Sequence, residues 1–147
     1  MLKVLRYRIY PTKSQRTKMD DALELCRWTY NEVIAIRMNA YEQESKSLSY
    51  YDTKKLLPGW KEEKPELKEV HSQVLQEVVK RVDLAYQAFF RRVEAGENPG
   101  YPRFKGYGRY DSLTYKQLGF GIKDGKLHLA KIGDIKIKLH RPIEGKI

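Results

Sequence analysis

The sequence predicts an α+β fold, a sheet or small partial β-barrel with a helical bundle inserted after its first strand, and three observations carry that expectation. The chain opens on a period of two, shifts to the three-and-four spacing of amphipathic helices for about a hundred residues, and returns to a period of two at its end. Residues 1–10 and 108–147 supply the strands, and residues 11–107 the helical insertion with a basic aromatic loop at 96–110. With 147 residues and 41% hydrophobic content, the chain suits one domain, or one domain with an insertion, around a modest core.

The opening MLKVLRYRIYP alternates Leu5, Tyr7 and Ile9 with Arg6, Arg8 and Tyr10, and Pro11 cannot continue a central strand. Thr12 with Gln15 three residues on makes a capping box. From there Met19, Ala22, Leu23, Cys26, Tyr30, Val33, Ile34 and Tyr41 share one helical face, so the helix runs to about Glu44. Trp28 lies off that face and is expected to pack on a further element rather than offer its ring for stacking. Ser49 with Asp52 suggests a second cap, Pro58-Gly59 is expected to end the short helix that follows, and the stretch up to Pro65 to be loop.

A long helix then begins near Pro65 or Val70 and stops at Gly96. Leu75, Val78, Val82, Ala85 and Phe89 form its buried face, widened by Val74, Tyr86 and Val93. The opposite ridge carries Gln73, Gln76, Lys80, Asp83, Gln87 and Arg91, a row that can read base edges, although a ridge of this kind on an arbitrary helix is more often simply solvated. The loop beyond it interleaves Arg103, Lys105 and Arg109 with Tyr101, Phe104, Tyr107 and Tyr110 and contains no acid between Gly100 and Tyr110. Its cations attract phosphate and its rings offer stacking surfaces.

Leu113 and Tyr115, Phe120 and Ile122, Leu127 and Leu129, then Ile135, Ile137 and Leu139 read as strands, with Asp124-Gly125 as a two-residue hairpin turn. Lys136, Lys138 and His140 alternate with the last apolar set, so one sheet face is basic. If the barrel ends early, the strand around Ile135 to Leu139 keeps an unpaired edge, a route to self-association that the two lysines blunt.

Net charge is +10 and the sequence pI near 9.6, and residues 1–18 hold six basic side chains and no acid. A field of that sign favours nucleic acid or an anionic membrane. No apolar run approaches transmembrane length and the N-terminus has no signal-peptide core, which leaves nucleic acid as the expected partner and no membrane. Cys26, the single cysteine, falls on an apolar helix face, which points to a buried thiol in a reducing, cytoplasmic compartment. His71, His128 and His140 have no metal-ligand spacing and read as structural or surface residues. No paired carboxylates, nucleophile elbow, Walker-type loop or His-Glu-x-x-His occurs, so no catalytic residue and no metal ligand is expected in this chain.

Five ordered blocks then resemble the N-terminal part of the insertion-sequence TnpB (OrfB) family. They are Arg8-Ile9-Tyr10-Pro11-Thr12-x-x-Gln15; Tyr30-Asn31; Ala85-Tyr86-x-x-Phe89-Phe90-Arg91; Gly100-Tyr101-Pro102-Arg103-Phe104-Lys105; and Gly125-Lys126-Leu127-x-Leu129-x-Lys131-Ile132-Gly133. The resemblance covers nearly the whole chain. It implies an RNA-guided DNA endonuclease whose wedge domain, a partial β-barrel, is built from residues 1–10 and 108–147, with a helical recognition insertion between. Guide RNA and target DNA with a short adjacent motif would be the partners. The family's RuvC-type carboxylates, their divalent metal and a zinc ribbon would lie further along than anything present here. The chain, ending Ile143-Glu144-Gly145-Lys146-Ile147, accordingly looks like a partial product.

By the same resemblance, the motif beside the target would be read near Tyr50 and by Ser72, Gln73 and Gln76, glutamine being able to bond adenine N6 and N7 together. The base sequence beyond it would be read by guide pairing. Lys80, Arg103, Phe104, Lys105, Arg109, Lys136 and Lys138 complete the expected nucleic-acid contacts. A stand-alone helix-turn-helix DNA-binding protein and a structural RNA-binding protein are the alternatives.

Overall fold

The computed structural model describes residues 2–143, 145 and 147. The order is β1 (Arg8–Tyr10), α1 (Lys13–Glu44), α2 (Tyr50–Lys54), α3 (Leu57–Glu63), a 3-10 segment (Pro65–Glu69), α4 (Ser72–Glu94), β2 (Phe120–Lys123), β3 (Lys126–Leu129) and β4 (Gly133–Lys138). The α+β class and the helical insertion after the first strand are as expected. The strands form an open four-stranded antiparallel sheet of order β1-β4-β3-β2, not a closed barrel. The strand running from Ile135 is therefore interior, paired with β1 on one side and β3 on the other, and the expected edge there is absent. The edges belong to β1 and β2.

α1 starts at the predicted capping box, Thr12 accepting from the Gln15 amide while the Gln15 side chain accepts from the Thr12 amide. Gln15 also donates to the Asp134 carbonyl at 2.6 Å, tying this helix end to the sheet. With no glycine or proline between Lys13 and Glu44, nothing in the sequence breaks the helix. α2 begins at the predicted Ser49–Asp52 box. Pro58 does not end a helix but occupies the first turn of α3, where its missing N–H costs nothing, so the expected loop up to Pro65 is helical. α4 starts later than Pro65 because residues 65–69 form the 3-10 segment. It ends in a Schellman arrangement, with Gly96 at φ 83° and amides of Gly96 and Glu97 bonded to the carbonyls of Val93 and Arg92.

The core lies between α1 and α4. Cys26, Tyr30, Val33 and Ile34 meet Val74, Leu75, Val78, Val79, Val82, Tyr86 and Phe89, with Leu57, Leu67 and Val70 closing one side. Burial raises the Cys26 thiol to about 12. Trp28 packs edge-on against Trp60, as expected.

Two charged residues sit inside this core. Arg37 Nη1 lies 2.8 Å from Asp83 Oδ1, with only 4% and 9% of the side chains exposed, and the guanidinium covers the Tyr86 ring at 4.7 Å. Asp83 is thus not part of the solvent ridge. Its position repeats the Val79–Val82–Tyr86 spacing, and Arg37 repeats that of Val33 and Ile34, so each belongs to the apolar stripe of its helix.

Leu113 and Tyr115 do not form a strand. Residues 111–119 are a strap held by side chains of α4 and by the backbone of the turn after β3 instead of a ladder. Arg81 donates to the Ser112 carbonyl and Thr114 Oγ1, Gln73 Oε1 accepts from the amides of Gln117 and Leu118, and the Tyr115 hydroxyl donates to the Ala130 carbonyl. Leu113, Thr114 and Tyr115 are all half-buried there, so apolar residues two apart mark a packed segment without a strand. The Asp124-Gly125 turn forms as predicted, both residues having positive φ, as a type I′ hairpin requires.

Candidate nucleic-acid interface

The register of the sheet decides which cations share a face. Lys123 pairs with Lys126, Lys126 with Lys136, and Lys136 with Tyr10, so three lysines stand side by side across three strands. One row further, Lys138 pairs with Arg8. All five cations are exposed, and none joins an ion pair among the described residues. At the other end of that face His128 bonds Asp134 at 2.8 Å. Like charges directly opposite each other destabilise an antiparallel pair by about 0.2–1 kcal/mol. The fold bears this cost at adjacent positions, and a bound polyanion would reverse it. Lys136 and Lys138 were legible as a basic face. Lys123, Lys126 and Arg8 were not singled out, although the Asp124-Gly125 turn alone places Lys123 opposite Lys126.

The basic loop is fastened to α1 by its backbone. Asn31 Oδ1 accepts from the Lys105 amide at 2.8 Å and Asn31 Nδ2 donates to the Lys105 carbonyl at 3.0 Å, with Arg27 Nη1 donating to the same carbonyl. Two of the quoted sequence blocks, Tyr30-Asn31 and Pro102-Arg103-Phe104-Lys105, therefore meet in space. Lys105 Nζ lies 5.2 Å over the Tyr30 ring. Of the loop's four rings, Tyr101 stacks on Phe89 and Tyr110 is buried under Arg81, whereas Phe104 and Tyr107 are exposed. Arg103 and Arg109 are exposed.

At the start of α4, Ser72, Gln76 and Lys80 follow one another at four-residue intervals and share one face. Lys80 and Lys54 each place an ammonium 5.6 Å from the Tyr50 ring, which brings α2 beside this face. Gln76 makes no side-chain hydrogen bond among the described residues, so its amide retains both a donor and an acceptor. Gln73 differs: the strap occupies its carbonyl, and only its amino group remains as donor.

His71, which the sequence left as a structural or surface residue, caps α4. Its Nδ1 accepts from the Gln73 amide, and its ring lies against Tyr115. Burial, with Lys131 and Lys61 near, lowers its basicity, a direction that favours the neutral ring this acceptor role needs. Gly119, at φ 84°, passes so close that a Cβ there would stand 2.8 Å from His71 Nε2. No hydrogen bond or ion pair among the described residues links Arg103, Arg109, Lys136 or Lys138 to another predicted contact residue. The cations form three separate groups: sheet face, loop and α4 start.

A mixed sheet-and-helix fold with three separate basic surfaces fits a nucleic-acid-handling class, and similar proteins narrow it. Residues 1–46 match the model of a helix-turn-helix domain of the OrfB type carried by IS605 elements. The chain is 30% identical over 145 residues to a Streptomyces pristinaespiralis protein named "Putative RNA-guided DNA endonuclease". It is 28% identical over 152 residues to an Escherichia coli (strain K12) protein bearing that same name with the suffix InsQ. These alignments take in 96% and 99% of the chain but 35% and 36% of the relatives, so the chain spans about a third of their length. The chain thus carries an OrfB/TnpB-like N-terminal domain and is homologous to part of these proteins. The matched residues 1–46 fold here as β1 and one unbroken helix, without an internal turn between two helices. No described helix is long and apolar enough to cross a membrane.

Proposed function

We propose that this chain is the guide-RNA and target-DNA binding N-terminal portion of a transposon-encoded, RNA-guided DNA endonuclease. The observation that carries the reading is the lysine row Lys123, Lys126 and Lys136 with Lys138 and Arg8, an unneutralised cationic face on an otherwise ordinary sheet. That face and the loop cations Arg103, Lys105 and Arg109 hold phosphates, while Gln76, with Tyr50, Ser72 and the free amino group of Gln73, meets base edges in the motif beside the target. In this reading the chain contributes no cleavage of its own. Among its described residues no three His, Cys, Asp or Glu side chains gather as metal ligands.

The runner-up, a helix-turn-helix regulator acting alone, needs a two-helix corner that residues 1–46 do not form. Competition binding separates the readings. The guide-binding portion prefers structured RNA over plain duplex DNA, a regulator prefers one duplex sequence, and a structural RNA binder ignores DNA motifs. Preference for a single duplex over every structured RNA would overturn the proposal.

The two kinds of contact also predict different variants in a complex that contains the nuclease portion of such an enzyme. Gln76→Ala is expected to cost about 1–3 kcal/mol on the preferred motif, relax the choice of base and leave the salt slope in place. Lys105→Ala is expected to weaken all sequences alike and lower the log-log salt slope by roughly one. Motif-swapped DNA titrated at several salt concentrations checks both. Uniform weakening by Gln76→Ala, with no effect of Lys105→Ala, would contradict this division of roles.

A further inference from the structure

Tyr107 has no packing role. It is 87% exposed, the highest value of any aromatic ring among the exposed large side chains. It stands at the tip of a tight turn closed by the Arg109 amide on the Gly106 carbonyl at 3.0 Å, with Gly108 at φ 74° supplying the left-handed residue of a type II turn. The tip is nonetheless held from both sides. Two residues before Tyr107, the Lys105 backbone is clamped by Asn31 and Arg27, and three residues after it Tyr110 is buried against Tyr30 and Arg81. An exposed ring on a floppy loop loses entropy when it binds, whereas one on a braced turn loses less.

Gly106 supplies a second, independent observation. Its φ is not positive and no atom lies within 4 Å of where its Cβ would stand, so neither backbone conformation nor packing accounts for a glycine there. A bare backbone beside an exposed ring leaves room for a flat ligand to approach its face. The surrounding charge selects the ligand: Arg103, Lys105 and Arg109 lie within four residues, and no acid occurs from residue 98 to 110. Flat ring, open flank and phosphate-binding cations together describe a seat for a nucleotide base that is not inside a duplex stack.

We propose that Tyr107 is a stacking platform for an unpaired base, so that the 106–109 turn engages single-stranded nucleic acid while the sheet face and α4 engage other parts of the same polyanion. This deepens the proposed function and rests on it. RNA and DNA share the base face that the ring would meet, and the 2′-hydroxyl is not part of the argument.

The test measures binding of the full chain to 12-nucleotide oligo-dT, to 12-nucleotide oligo-U and to a blunt DNA duplex, for wild type, Tyr107→Ala and Tyr107→Trp. Tyr107→Ala is expected to weaken both single strands by about five- to one-hundredfold, with an unchanged salt slope, and to leave the duplex within about twofold. Tyr107→Trp is expected to retain single-strand binding, and its indole emission to be quenched on binding. The thermal transition should not move in either variant, since the ring packs on nothing. Equal losses on duplex and single strands, or no loss on any, would overturn the stacking role while leaving the broader reading in place. A wild-type chain that binds none of the three probes, nor structured RNA, would overturn both.

Discussion

Asp83→Ala is expected to destabilise the fold by about 3–5 kcal/mol, because it leaves the Arg37 guanidinium buried without its counter-charge. Arg37 reaches Asp83 at 2.8 Å, Asp83 also accepts from Gln87 Nε2 at 2.7 Å, and Arg37 Nε already lacks a partner among the described residues. The remaining support for the cation is the Tyr86 ring, worth about 2 kcal/mol when desolvated and no substitute for a carboxylate. Asp83→Asn preserves shape but not charge and should recover only part of the loss. The double replacement Arg37→Met with Asp83→Leu should recover most of it, since apolar groups of similar volume often match or exceed a buried pair. Urea unfolding of the four chains decides the matter. A cost below about 1 kcal/mol for Asp83→Ala would mean that water reaches the pair, as it does in surface bridges.

Asn31→Ala is the second large effect, expected to cost about 2–3 kcal/mol for two hydrogen bonds lost from a partly buried backbone. Both partners belong to Lys105, so the damage should be local to the basic loop before it is global. Hydrogen exchange at the Lys105 amide gives the reading: slow in wild type, fast in Asn31→Ala. Asn31→Asp should not rescue, because a carboxylate can accept from the amide but faces the Lys105 carbonyl with no donor. Loosening the loop removes its cations and rings together, so binding should fall on every nucleic acid alike. An unchanged exchange rate at Lys105 would show that Arg27 and the packing of Tyr101 hold the loop without Asn31.

What could be read in the sequence and what could not divide along a physical line. Capping boxes at Thr12 and Ser49, the Gly96 stop and the Asp124-Gly125 turn are local chemistry, complete within a few residues, and each formed where expected. Errors arose where a local signal has two solutions. Pro58-Gly59 can end one helix or begin the next, and the start of α3 lay in tertiary contacts that place Leu57 in the core. Alternation at Leu113 and Tyr115 marks an extended, half-buried backbone, and whether it pairs with a strand or with Arg81 and Gln73 depends on residues about thirty to forty-five positions away. The Arg37–Asp83 pair was visible only as two charges at core spacing on two different helices, which needs their packing to be known.

For the candidate site, residue types were legible and relations were not. The register that lines up three lysines, the Asn31 clamp on Lys105 and the engagement of the Gln73 carbonyl are all contacts between distant segments. They separate Gln76, with both amide groups free, from Gln73, with one.

The central claim is that the lysine row binds a polyanion, and the salt dependence of RNA binding tests it most directly. Wild type is compared with Lys123→Gln, Lys126→Gln and Lys136→Gln combined. If the row contacts phosphates, the log-log salt slope should fall by about two to three and affinity at low salt should drop on every sequence. The fold itself should become more stable, by about 0.2–1 kcal/mol for each like-charge pair relieved. Weaker binding from a firmer protein is the predicted result; an unchanged salt slope in the triple variant would contradict the account.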